Sequence, residues 1–129
     1  NIKHDISIAA SRIPAFVEHT DALLAREIAG VRLVNFGHLG DGNLHYNVQA
    51  PEGGDARDFL ATQEDRVNQL VYDAVAQFGG SFSAEHGVGQ LKADKLAHCK
   101  SPVALSMMRA IKQALDPQGL MNPGCLLQK

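Results

Sequence analysis

With 129 residues, 45% of them hydrophobic and 20% charged, the chain has the apolar content of a globular domain with one core, which excludes disordered and fibrous classes. A formal net charge of −2 and the lack of any polycationic run leave no electrostatic footprint for nucleic acid or an anionic membrane surface. Cys99 and Cys125 are the only cysteines and form no CxxC pair, so a disulfide framework is set aside and a reducing, cytoplasmic location is expected.

The amino end, NIKHDISIAAS, lacks the basic, apolar and small-residue order of a signal peptide, and no apolar run reaches membrane-spanning length. Residues 2–8 alternate between apolar and polar side chains, the pattern of a short strand, and Ser11 follows as the expected cap of a helix. From Ile13 onward Phe16, Val17, Leu23, Leu24 and Ile28 recur at helical spacing, with Pro14 in the first turn and Gly30 as the stop. Residues 31–38 and 43–49 are β-rich runs on either side of Asp41-Gly42, a dipeptide suited to a two-residue type I′ turn.

Beyond the Pro51-Glu52-Gly53-Gly54 loop, Leu60, Val67, Leu70, Val71, Val75 and Phe78 share one face of a second helix, which Gly79-Gly80 ends. Residues 81–84 then read as a returning strand. A short helix over residues 91–98 and a longer one opened by Ser101-Pro102, with Val103, Leu105, Met108, Ile111 and Leu115 apolar, follow before Asp116-Pro117 closes the pattern. The expected fold is α+β, a ferredoxin-like β-α-β-β-α-β antiparallel sheet with extra C-terminal helices. Both helices of that unit lie on one sheet face, leaving the other for function.

The hairpin carries two histidines. If Asp41-Gly42 is the turn, Gly40 pairs with Asn43, Leu39 with Leu44, and His38 with His45. Cross-strand partners share a face with Cβ atoms roughly 4.5–5.5 Å apart, near enough for two imidazoles to converge on one ion. The period of two brings Phe36 and Asn47 to the same face. The hairpin glycines do not match GxGxxG, and no helix begins after them, so they read as turn chemistry rather than a phosphate cradle.

Ser83-Ala84-Glu85-His86-Gly87-Val88-Gly89 adds a carboxylate beside a third histidine. Adjacent residues in a strand face opposite ways, so Glu85 and His86 serve one site only if the backbone leaves strand geometry, which Gly87 and Gly89 permit. Glu85 with His38 and His45 would make a two-histidine, one-carboxylate set suited to zinc with an open position, or to manganese or iron. His86 would stand by as a general base, its ordinary pKa lying near neutrality. The plainer alternative is a hairpin with two surface histidines, a solvated Glu85 and a His86 that caps a turn. For His4, His19 and His98 the sequence offers no partner, and surface exposure is the expectation.

Together GHLGDGNLHYN, SAEHGVG and DPQGLMNPG, in that order, resemble the carboxy-terminal region of the FAD-linked oxidase family. That family takes in D-2-hydroxyglutarate dehydrogenases, FAD-linked D-lactate dehydrogenases and the flavin subunit of glycolate oxidase. The resemblance runs from Lys3-His4-Asp5-Ile6-Ser7 to Asn122-Pro123. It implies that His38, His45 and Glu85 bind a divalent metal, that His86 acts as base and that Asn47 contacts substrate. It also implies that Lys3, in a segment similar to the family's Lys-Tyr-Asp-Ser pattern with His4 replacing the aromatic, pairs with a substrate carboxylate, and that Asn122 approaches the flavin.

On this resemblance residues 1–129 form the C-terminal substrate- and metal-binding part of a longer enzyme whose FAD-binding domain precedes residue 1, and the fragment alone is expected to be inactive. The implied reaction oxidises a D-2-hydroxyacid of the 2-hydroxyglutarate, lactate or glycolate type to the 2-oxoacid, with hydride passing to FAD. The partners implied are the small hydroxyacid, the missing flavin domain and a further electron acceptor that the residues do not define. Two rivals stay open: a free-standing His-His-Glu metalloenzyme, either a hydrolase or a non-haem iron oxygenase, and a ferredoxin-like binding module without catalysis.

Overall fold

The computed structural model describes residues 1–127, and the chain divides into two units, Asn1–His86 and Gly87–Lys129. Within the first, β1 (Ile2–Ser7), β2 (Arg32–His38) and β3 (Asn43–Gln49) form an antiparallel sheet in the order β1-β3-β2. A 3-10 turn, Ala10–Arg12, leads into α1 (Ile13–Glu27). Ser11 lies inside that turn and no side chain caps the helix, so the expected serine cap is not made. By contrast α2 (Ala56–Gln77) is capped by Asp55, whose carboxylate accepts from the Arg57 and Asp58 N–H groups at 2.7 and 2.9 Å, a contact worth about 1 kcal/mol.

Alternation along the strands separates the two faces of the sheet. Ile2, Ile6, Leu44, Tyr46 and Val48 join Phe16 and Leu24 of α1 and Val67, Val71 and Val75 of α2 in one buried core. The two helices therefore cover one face, as an α+β unit of this kind requires. Tyr46 is wholly buried and its hydroxyl donates to Asp21 Oδ1 at 2.6 Å. Burial first, then that hydrogen bond, pushes the phenol far above its ordinary value.

His4 belongs to this core and not to the surface, where sequence reading put it. Only 1% exposed, it donates from Nδ1 to the Tyr46 carbonyl at 2.9 Å, and its Nε2 lies 2.9 Å from Oδ1 of Asn68. Its place between Ile2 and Ile6 in the period of two puts it on the helix face, and these polar partners make its burial tolerable.

A full fourth strand over residues 81–84 does not form; a single antiparallel bridge, Ser7↔Ser81, marks its place beside β1. Beyond that bridge the Ala84 N–H still reaches the Asp5 main-chain carbonyl at 3.2 Å, but it shares that bond with the Asp5 side chain, and the ladder goes no further. Ser81 Oγ donates to the Ser83 carbonyl at 2.8 Å, and the N–H groups of Ala84, Glu85 and His86 all reach the carboxylate of Asp5.

In the second unit, α3 (Ala93–Cys99) precedes α4 (Pro102–Leu115), which starts as expected with Ser101 Oγ accepting from the Ala104 N–H at 3.2 Å and Pro102 in the first turn. Asp116 ends α4. Its carboxylate takes the side chain of Lys112 and the N–H groups of Leu120 and Met121, each 2.9 Å away. The Lys112 ammonium, followed by the two amides, holds it below the usual carboxylate range. Of the α4 residues only Leu105 is buried, while Val103, Met107, Ile111 and Leu115 are exposed. Among the described residues no helix is long and apolar enough to cross a membrane.

Candidate metal centre

The β2–β3 register pairs His38 with Asn43 and Phe36 with His45, so the expected His38–His45 pair is displaced by two residues. The loop is four residues long: a 3-10 turn, Leu39–Asp41, followed by Gly42 at φ +70°. A type I′ turn needs positive φ at both central residues, and here only Gly42 has it. Gly42 donates to the Leu39 carbonyl at 3.1 Å, and its own carbonyl accepts from the Ile8 N–H at 2.8 Å. That second bond ties the wider loop to the end of β1. Side chains repeat every two residues, so this displacement leaves both histidines on one face as diagonal neighbours, their ring centroids 6.0 Å apart.

The open face carries three cross-strand rows: Lys3, Asn47 and Val34; Asp5, His45 and Phe36; Ser7, Asn43 and His38. The middle row sets the Asp5 carboxylate beside the His45 imidazole. Phe36, 59% exposed, leans against the His45 ring at 5.2 Å, and Val34 and Leu39 are also exposed. These side chains give the cluster an apolar flank.

Glu85 and His86 meet the same face because the backbone leaves strand geometry, as their joint service demands. Asp5, only 5% exposed, receives the N–H groups of Ala84, Glu85 and His86 on its Oδ2 at 3.2, 3.1 and 2.9 Å, and Gly87 follows at φ +73°. This hook of three amides carries Glu85 Oε1 to 3.3 Å from His45 Nε2 and 3.5 Å from His86 Nε2. The donor atoms of His38, His45 and Glu85 all lie within 4.8 Å of one another. Two imidazoles and a carboxylate bound to one ion at about 2.0–2.2 Å stand roughly 3–4 Å apart, so modest side-chain rotation satisfies the geometry and the residues fit a divalent metal.

Asp5 is the site residue that sequence reading missed. Its signal was an acid two residues from Lys3 in an otherwise isoleucine-lined strand, which places both on the open face. Lys3 is exposed at the far row, opposite Asn47. Asn47 is buried, and its Nδ2 donates to the Val34 and His45 carbonyls at 3.1 and 3.2 Å, so it braces the strand that presents His45. Asn122 lies in the second unit at φ +45°, its carbonyl accepting from the Cys125 N–H at 3.1 Å. His19 and His98 are exposed, as expected.

Residues 1–126 match the family described as FAD linked oxidases, C-terminal domain, and the chain belongs to that family. It is 42% identical over 122 residues to a D-2-hydroxyglutarate dehydrogenase of Stutzerimonas stutzeri, covering 95% of this chain and 26% of the relative. A mitochondrial D-2-hydroxyglutarate dehydrogenase of Bos taurus is 40% identical over 121 residues, 94% of this chain and 21% of its own length. A D-lactate dehydrogenase of Anaerostipes hadrus is 35% identical over 127 residues, 97% of this chain and 26% of its own length. The chain thus spans about a quarter of the length of the bacterial relatives it matches.

Proposed function

We propose that the chain is the carboxy-terminal, substrate- and metal-binding part of an FAD-dependent dehydrogenase of D-2-hydroxyacids. The single observation that carries this reading is the approach of His38, His45 and Glu85 donor atoms to within 4.8 Å on the uncovered sheet face. Those three residues would hold the divalent ion, zinc in the first instance, with manganese or iron as alternatives. A bound ion supplies Lewis acidity that makes a ligated hydroxyl easier to deprotonate, and FAD, held by the remainder of the longer protein, supplies the hydride acceptor.

His86 is the base in this reading. It is exposed, and its Nε2 sits 3.5 Å from Glu85 Oε1, so it stands beside the ligands with a face open to substrate. It takes the C2 hydroxyl proton, and loss of the C2 hydrogen as hydride completes the two-electron oxidation to a 2-oxoacid. Lys3 pairs with a substrate carboxylate, Asn47 contacts substrate, and Asn122 approaches the flavin. The names of the relatives support D-2-hydroxyglutarate as the first substrate to try and D-lactate as the second. Bacterial relatives and the two free thiols, Cys99 and Cys125, support a cytoplasmic location, although plant and bovine relatives are named mitochondrial.

Elemental analysis after loading with zinc, manganese or iron and desalting tests the reading. One ion per chain in the wild type and none in Glu85→Gln supports it. No retained metal in either protein sinks it.

A further inference from the structure

We infer that Asp5 is the positioning residue of the metal centre, setting the direction of Glu85, His86 and His45 without itself acting as a ligand. This rests on the metal-binding reading above. One oxygen of the Asp5 carboxylate receives three successive amides, those of Ala84, Glu85 and His86, at 2.9 to 3.2 Å. Bonds from N–H groups to an ionised acceptor are about twice as strong as neutral ones, and three on one oxygen fix the backbone from which both side chains project. Oδ2 is therefore committed to the loop, although Asp5, Glu85 and His86 lie close enough together to form a second ligand grouping.

The other oxygen faces the sheet. Oδ1 lies 3.8 Å from His45 Nδ1, while Nε2 of the same ring points at Glu85 Oε1, 3.3 Å away. The 3.8 Å separation is longer than a hydrogen bond; a small rotation of the His45 ring closes it, and a carboxylate on the Nδ1 side then keeps the proton on that nitrogen and leaves the Nε2 lone pair for the ion, the arrangement by which outer carboxylates orient metal-bound imidazoles. One side chain thereby governs two ligands and the base. The cross-strand pairing Asp5↔His45 makes this possible, because it stacks the carboxylate beside the ring on the same sheet face.

The 129-residue chain is titrated with Co²⁺ while its visible d–d absorption is recorded, using the wild type, Asp5→Asn and the control Ser7→Ala. Wild type and Ser7→Ala are expected to bind one ion with the same spectrum; Asp5→Asn is expected to bind about ten- to a hundred-fold more weakly with an altered spectrum. NMR should show His45 protonated at Nδ1 in the wild type and not in Asp5→Asn, with amide exchange at Glu85 and His86 faster in the variant. Asp5→Asn that folds and keeps wild-type affinity and spectrum overturns the proposal. Wild type that binds no Co²⁺ sinks the metal reading alone; the His45 tautomer and the two amides then decide the role of Asp5, and no change in either overturns it. Should Asp5→Asn fail to fold, trans-hydrogen-bond couplings from the amides of residues 84–86 to Asp5 Cγ in the wild type decide the matter, and their absence overturns it.

Discussion

The rings of His38 and His45 stand edge to face at 78°, 6.0 Å apart between centroids, on a diagonal between β2 and β3. Neither ring needs the other for packing: His38 is exposed at the hairpin end, and His45 rests against Phe36. His38→Ala is therefore expected to change urea stability by no more than about 0.5 kcal/mol in metal-free protein. With zinc at a hundred times its Kd the wild type should gain about 2.7 kcal/mol, and His38→Ala should lose most of that gain. Unfolding curves with and without zinc measure both numbers.

Gly42 and Gly40 differ in kind. Gly42 sits at φ +70°, and a Cβ there would come within 2.3 Å of the Ile8 carbonyl oxygen, whereas a Cβ at Gly40 meets nothing within 4 Å. Gly42→Ala is expected to cost more than the ~1–2 kcal/mol of left-handed strain alone, and Gly40→Ala to stay within about 0.5 kcal/mol. Thermal or denaturant unfolding of the two variants tests the contrast.

Tyr46 should resist ionisation in the folded protein. Its folded pKa lies above the unfolded one, so its contribution is complete below about pH 10 and is lost as pH rises beyond that. Absorbance titration of the folded chain should show one of its two tyrosines ionising only with unfolding, and Tyr46→Phe should abolish that component. The same variant gives up the bond to Asp21 and is expected to cost about 1–2 kcal/mol at neutral pH.

Asp116 behaves in the opposite sense. Its folded pKa is depressed, chiefly by Lys112, so its hold on the segment after α4 is fully present above about pH 4 and lost as pH falls below that. NMR shifts of the Leu120 and Met121 amides should titrate in the wild type with a midpoint below the ordinary carboxylate range. In Asp116→Asn the titration should vanish.

Much of this architecture was legible in residue spacing. The limits of β3, the stop at Gly79, the Ser101 cap and the shared face of His38 and His45 all follow from side-chain period and turn chemistry, whereas α1 ends at Glu27 with Ile28 already extended, ahead of the expected stop at Gly30. The hairpin register did not, because Asp41-Gly42 alone does not announce that Ile8 will bind the Gly42 carbonyl and hold a wider loop. The strand expected at residues 81–84 and the importance of Asp5 were hidden by the same long-range event, in which a side chain of β1 captures amides that local preference assigns to a ladder. His4 was misjudged for a nearer reason. Its alternation with Ile2 and Ile6 pointed inward, but the polar partners that make a buried imidazole tolerable, Tyr46 and Asn68, are remote in sequence.

The bonds from residues 84–86 to Asp5 each close a stretch of about eighty residues, nearly the whole of the first unit. Joining segments so distant carries one of the larger loop-closure entropies in the chain, so a growing or partly collapsed polypeptide has the hairpin with its two imidazoles well before it has the carboxylate. On the proposed metal reading, full-strength zinc uptake would report that these distant segments of the first unit have met, and a stalled intermediate would show only the feeble grip of an isolated histidine pair.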